Sequence, residues 1–136
     1  MQRKTAQRNT ANATPCPCGS GRPLAPCCGR HLDGEAAPTA EALMRSRYTA
    51  YGLLREDYLL ATWHPSTRPG ELGLARDTPP KWLGLEVKRH EQTDADHAVV
   101  EFVARYKVNG RARRLHEISR FVREDGRWFY VGGEVA

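Results

Sequence analysis

The sequence predicts an α+β protein, an N-terminal cysteine segment followed by helices packed on an antiparallel sheet. Three observations carry this. All four cysteines of the 136 residues crowd into residues 15–30. Apolar residues recur at three- and four-residue spacing from Thr39 to near Arg55, the period of one helix face. After Lys81 the period changes to two. There Asn109-Gly110 and Asp125-Gly126, the favoured pairs of two-residue type I′ hairpins, separate the last strands.

The length suits one domain with an appendage. At 40% hydrophobic and 27% charged residues the chain is globular in composition, which excludes wholesale disorder and collagen-like repeats. No apolar run approaches the ~18 residues of a spanning helix, so no membrane partner is expected. The opening MQRKTAQRNTANAT has charge but no apolar stretch, unlike a secretory signal. A cytoplasmic location follows as the expectation, and the cysteines are read as thiols. The net charge of +5 is concentrated. Residues 1–30 hold Arg3, Lys4, Arg8, Arg22 and Arg30 against no acid, which leaves 16 of the 21 bases against all 16 acids. The body is neutral apart from one stripe, Arg105, Lys107, Arg111, Arg113, Arg114, Arg120, Arg123 and Arg127, against Glu117, Glu124 and Asp125.

In order along the chain, residues 1–14 are polar and read as a disordered tail. Residues 15–30, PCPCGSGRPLAPCCGR, are too rich in glycine and proline to bury an apolar face, so something other than a core must order them. Residues 31–38 read as a linker and 39–136 as the folded domain. Thr39 is the expected N-cap of the first helix, with Glu41 in its first turn. Leu43, Met44, Tyr48 and Tyr51 form its apolar face. A second short helix starts near Asp57, carries Tyr58, Leu59, Leu60 and Trp63, and stops before Pro65. Residues 65–80 form a proline-rich loop with one helical turn around Glu71–Arg76.

The strand candidates are Trp82–His90, His97–Val108, Arg111–Arg123 and Arg127–Glu134. The two turns fix a register. Ala104 faces Leu115, Phe102 faces Glu117 and Val100 faces Ser119, while Arg123 faces Trp128 and Phe121 faces Tyr130. One side of the sheet therefore collects Val100, Phe102, Ala104, Tyr106, Leu115, Phe121, Trp128 and Tyr130, and the helices must pack there. Glu117 and Ser119 fall on that same apolar side.

The cysteines, Cys16, Cys18, Cys27 and Cys28, are spaced C-x-C-x8-C-C. Two close pairs around a short loop suit a tetrahedral zinc held by four thiolates, which orders a loop without a core. Disulfides between the pairs are the competing reading, disfavoured in a reducing compartment. His31 lies three residues beyond Cys28 and is read as an ordinary linker histidine, because four cysteines already close the site. A closed site is structural rather than catalytic. Removal of the metal should then disorder residues 15–30 and leave the domain folded.

CPCGSGRPLAPCCG, residues 16–29, resembles the SEC-C motif, a small zinc-binding segment also found at the carboxyl end of the bacterial preprotein translocation ATPase. The departure is Pro23-Leu24, where such segments commonly carry a lysine and an aromatic. LMRSRYTAYGLLREDYLLATWHPSTRP, residues 43–69, resembles the YchJ family of small bacterial proteins. The resemblance implies a domain of the nuclear-transport-factor-2-like fold, a cone of helices wrapped by a curved sheet, whose open end often holds a pocket.

Candidate pocket residues are Arg45, Arg47, Tyr48, Tyr51, Trp63, His64, Glu117 and Ser119. A carboxylate on the apolar side must be paired or hydrogen-bonded, and Arg45, Arg47 or Tyr48 on the first helix are the natural partners of Glu117. His64 either caps the end of the second helix or presents its imidazole to a ligand. No nucleophile elbow or nucleophile–base pair is evident, and no catalytic residue is assigned. The function expected is a zinc-containing binding or adaptor protein, its zinc segment meeting a protein partner, of the translation or export machinery by analogy with the motif. The alternatives are a small-molecule enzyme using Glu117 or His64, and an RNA-associated protein using the arginine stripe.

Overall fold

The computed structural model describes residues 14–74 and 78–136. The expected tail lies outside these except for Thr14, whose carbonyl accepts from Leu24 N at 2.8 Å. Residues 75 and 76 of the expected helical turn also lie outside, and residues 71–74 are not helical. After the cysteine segment, helix α1 spans Ala40–Gly52 and α2 Glu56–Ala61. Strands β1 (Lys81–Asp94), β2 (His97–Val108), β3 (Arg111–Glu124) and β4 (Arg127–Val135) form one antiparallel meander in chain order. The fold is α+β, helices against a curved antiparallel sheet.

Thr39 caps α1 as its sequence implies, its Oγ1 accepting from Ala42 N at 3.0 Å. The helix stops three residues short of Arg55. Leu54 turns left-handed (φ 58°), and Arg55 N reaches back to the Ala50 carbonyl at 2.8 Å. Both turn pairs have positive φ at both positions: 51° and 78° at Asn109-Gly110, 51° and 77° at Asp125-Gly126. This twist matches that of the flanking strands. The resulting register places Phe102 opposite Glu117, Val100 opposite Ser119 and Phe121 opposite Tyr130. β1 runs four residues beyond His90. Asp94 closes its hairpin by accepting from Asp96 N at 2.9 Å, a side-chain turn that carries no Asn-Gly signal.

α1 lies against the inner face of the sheet, where Leu43, Met44 and Tyr48 meet Val100, Phe102, Ala104, Phe121 and Trp128. Truncating one of these, such as Leu43→Ala, should cost about 2–5 kcal/mol. The four cysteines belong to the same buried cluster, and the segment expected as an open linker is anchored: His31, Leu32 and Ala37 are buried.

Candidate metal centre and ligand cavity

Helix α1 separates two features, because residues two apart point to different sides. Met44, Arg47, Tyr48 and Tyr51 follow the i, i+3, i+4, i+7 pattern and face the sheet cavity. Glu41, Arg45 and Thr49, spaced by four, face the cysteine segment.

On that second side the sulfurs of Cys16, Cys18, Cys27 and Cys28 all lie within 4.8 Å of one another, and all four residues are buried. Cys18 Sγ and Cys27 Sγ are 3.7 Å apart. A tetrahedron with metal–sulfur bonds of about 2.3 Å has edges of about 3.8 Å, whereas a disulfide needs about 2.05 Å. All four are free thiols. The donor set fits a thiophilic divalent ion. The Cys28 side chain hydrogen-bonds Cys18, which holds the Cys18 thiol down to about 4 and pushes Cys28 up. Burial raises Cys27. Four thiolates so close cannot coexist without a cation among them. Protein groups tie the loop to α1: Arg45 Nη1 donates to the Cys18 carbonyl at 2.9 Å, its Nε meets Glu41 at 3.0 Å, and Thr49 Oγ1 lies 3.8 Å from Cys16 Sγ. His31 is turned to its own segment, Nδ1 lying 2.9 Å from the Glu35 carbonyl.

On the first side is a cavity of about 270 Å³ lined by Met44, Arg47, Tyr48, Tyr51, Trp82, Phe102, Ala104, Leu115, Glu117, Ser119, Phe121 and Tyr130. Its half-buried members Tyr51, Trp82, Leu115, Glu117 and Tyr130 mark the open side, while Arg47, Tyr48 and Ser119 are buried. Glu117 points inward as the register demands, but its partners are not those expected. Its Oε2 accepts from Ser119 Oγ at 2.6 Å and from the Tyr130 hydroxyl at 3.2 Å. A Cβ at Gly133, across the strand from Ser119, would lie 2.7 Å from Glu117 Cδ, so only glycine leaves this carboxylate its place.

Arg47 is 6% exposed. Its Nη1 donates to the Leu59 carbonyl at 2.8 Å and to Thr62 Oγ1 at 2.7 Å, and its guanidinium lies over the Trp63 ring at 5.1 Å and the Tyr130 ring at 4.5 Å. Burial lowers its pKa, while Tyr51, Tyr130, Tyr58 and Glu117 act the other way through space.

Five of the eight expected pocket residues, Arg47, Tyr48, Tyr51, Glu117 and Ser119, line this cavity. Three do not. Arg45 is held on the metal side by Glu41 and the Cys18 carbonyl. Trp63 stands behind the wall, its ring edge-on to Tyr130 at 5.0 Å. The chain there pairs with the edge of β4: Tyr130 N donates to the Thr62 carbonyl and His64 N to the Tyr130 carbonyl, both at 2.8 Å. This carries His64 away to Glu124 (2.9 Å) and Ser66 (2.7 Å). Sequence reasoning missed Trp82 and the part played by Tyr130. Alternation put Tyr130 on the right face, but the Trp82 register depends on a bulge between Trp82 and Gly84.

The fold and the two features define a class: an NTF2-like cone domain preceded by a four-cysteine segment able to hold a metal. The family model described as "YchJ, middle NTF2-like domain" matches residues 39–133. The chain belongs to the YchJ family. A UPF0225 protein of Chromobacterium violaceum is 65% identical over 127 residues, covering 89% of this chain and 93% of that protein. One from Cupriavidus pinatubonensis is 57% identical, covering 92% and 91%. The solution structure of a SEC-C motif containing protein from Rhodopseudomonas palustris superposes with a TM-score of 0.80 at 34% identity, covering 89% of this chain and 98% of its own. The crystal structure of another, from Psychrobacter arcticus, gives 0.77 at 28%, covering 93% and 85%. No described helix is long and apolar enough to cross a membrane.

Proposed function

We propose that this is a zinc-containing binding protein: Cys16, Cys18, Cys27 and Cys28 hold a structural zinc, and the cone cavity takes a small ligand. The observation that carries the reading is the composition of the cavity wall. It is aromatic and apolar, with one buried cation, Arg47, and one inward carboxylate, Glu117, as its orienting charges. The four thiols are a closed set, which supports a structural metal, and their free state suits a reducing compartment such as the cytoplasm. The exposed loop Gly19–Arg22 between the cysteine pairs is the face offered to a protein partner.

Binding is favoured over catalysis by the same wall. Among the described residues it contains no histidine, cysteine or lysine to pair with Glu117, whose Oε2 is already engaged twice. The test uses benzoate, indole and indole-3-acetate as probes at millimolar concentration with the zinc-loaded full chain. Amide signals of Leu115, Glu117 and Ser119 should shift, and Ala104→Trp, which fills the cavity, should abolish the shifts while circular dichroism is unchanged. Probes that leave these signals still, or that bind Ala104→Trp equally well, would remove the cavity as a ligand site.

A further inference from the structure

We propose that the cavity and the hairpin end of the sheet form one site for a nucleotide, with the base inside the cone and the phosphate on Arg111 and Arg113. This rests on the cavity being the ligand site, and it adds the ligand's chemical class.

The inner end of the cavity sets the first requirement. Arg47 is buried there, and among the described residues all its hydrogen bonds leave from Nη1 to Leu59 and Thr62, with no carboxylate in bonding contact. Glu117 shares the cavity but is bound to Ser119 and Tyr130. A donor-only cation and an acceptor-only carboxylate in one cavity match a ligand edge that carries acceptor and donor groups side by side. Nucleobase edges have that pattern. The walls supply flat faces for such a ring, with Trp82, Tyr51 and Phe102 in the lining.

The open side sets the second requirement. Along the inner face of β3 the side chains run Ser119, Glu117, Leu115, Arg113, Arg111, in steps of about 7 Å. The first three line the cavity, so the next two stand at its rim, the nearer about one ribose away from the wall. Arg113 faces Tyr106, whose ring lies 5.2 Å from that of Trp82. Arg111 and Arg113 are exposed and form no ion pair among the described residues. On the opposite face of the same strands Arg105 directly faces Arg114. Like charges opposite one another are unfavourable in the free protein, and an anion at this end relieves them.

The same chemistry is presented by a free nucleotide or by the phosphorylated end of an RNA strand, and the experiment separates the two. Zinc-loaded full chain is titrated at low salt with AMP, GMP, CMP and UMP, with the four nucleosides, and with 5′-phosphorylated hexauridylate, following amide shifts and calorimetry. At least one monophosphate should shift Leu115 and Ser119 and bind ten-fold or more tighter than its nucleoside. Arg111→Glu/Arg113→Glu should remove that difference while leaving nucleoside binding intact, with Arg111→Gln/Arg113→Gln as the milder version if the reversal disturbs folding. Hexauridylate binding ten-fold tighter than UMP supports the site and assigns it to strand ends; equal or weaker binding supports the site and assigns it to free nucleotides. Equal affinity for monophosphates and nucleosides, or indifference to both arginine variants, overturns the proposal. If no nucleotide binds while benzoate or indole still enters, the nucleotide assignment falls and the cavity reading stands. If nothing enters, both fall.

Discussion

The guanidinium of Arg47 lies 4.5 Å from the centre of the Tyr130 ring, and the hydroxyl of that ring donates to Glu117. One aromatic side chain thus stands between the buried cation and the inward carboxylate, one by its face and the other by its edge. The arrangement keeps opposite charges in one cavity without a direct ion pair, so both retain capacity for a ligand.

The two contacts of Tyr130 are separable. Tyr130→Phe keeps the ring under Arg47 and removes one charge-assisted hydrogen bond, with an expected cost of about 1–2 kcal/mol. Tyr130→Leu also removes the cation–π contact, for about 2 kcal/mol more. Urea unfolding of the two variants measures the difference. Equal losses would show that the ring face contributes nothing to holding Arg47.

Gly133→Ala should act through Glu117. The new methyl displaces the carboxylate from Ser119 and Tyr130. The expected cost is about 1–3 kcal/mol. Because Glu117→Gln weakens the same contacts, the double variant should be less destabilised than the sum of the two singles. Strict additivity in the unfolding free energies would mean that Gly133 acts on the backbone alone.

Purified protein should carry one zinc per chain, lost on serine substitution at Cys16, Cys18, Cys27 or Cys28. Since these cysteines share the core cluster with Leu43, Met44 and Tyr48, metal removal should also lower the Tm of the whole domain, by roughly 10 °C for ~3 kcal/mol. Acid should release the metal, because protons compete for the thiolates. Metal analysis beside thermal melts checks this. An unchanged Tm after chelation would instead support independent segments.

Burial raises the pKa of Tyr48, Tyr51, Tyr58 and Tyr130. A group whose proton is held more tightly in the folded state contributes stability that is complete below its unfolded value of about 10 and is lost as pH rises beyond it. Alkaline unfolding is therefore expected above about pH 10, with tyrosinate absorbance rising together with loss of circular dichroism. Full tyrosine ionisation in a still-folded protein would contradict it.

Gly126→Ala places a Cβ at φ 77° and should cost about 1–2 kcal/mol in thermal or urea unfolding, whereas Asp125→Asn should be nearly neutral. Equal effects would show that the turn does not need its left-handed second residue.

The sequence by itself determined what local chemistry decides. Asn109-Gly110 and Asp125-Gly126 set the turns, and from the turns came the register that turned Glu117 and Ser119 inward. Thr39 set the start of α1, and the C-x-C-x8-C-C spacing marked the four thiols that the fold gathers. Partner choice was decided only by tertiary structure. Arg45 and Arg47 look equivalent in sequence, but the helical twist sends one to the Cys18 carbonyl and the other between Trp63 and Tyr130. Glu117 went to Tyr130 because β4 delivers that hydroxyl and because Gly133 leaves the room. Trp63 and His64 were drawn out of the cavity by backbone pairing with β4, an interaction between segments more than 60 residues apart. Periodicity and turn residues act over a few positions, whereas the position of a long side chain is set by whichever distant donors and acceptors the folded chain brings to it.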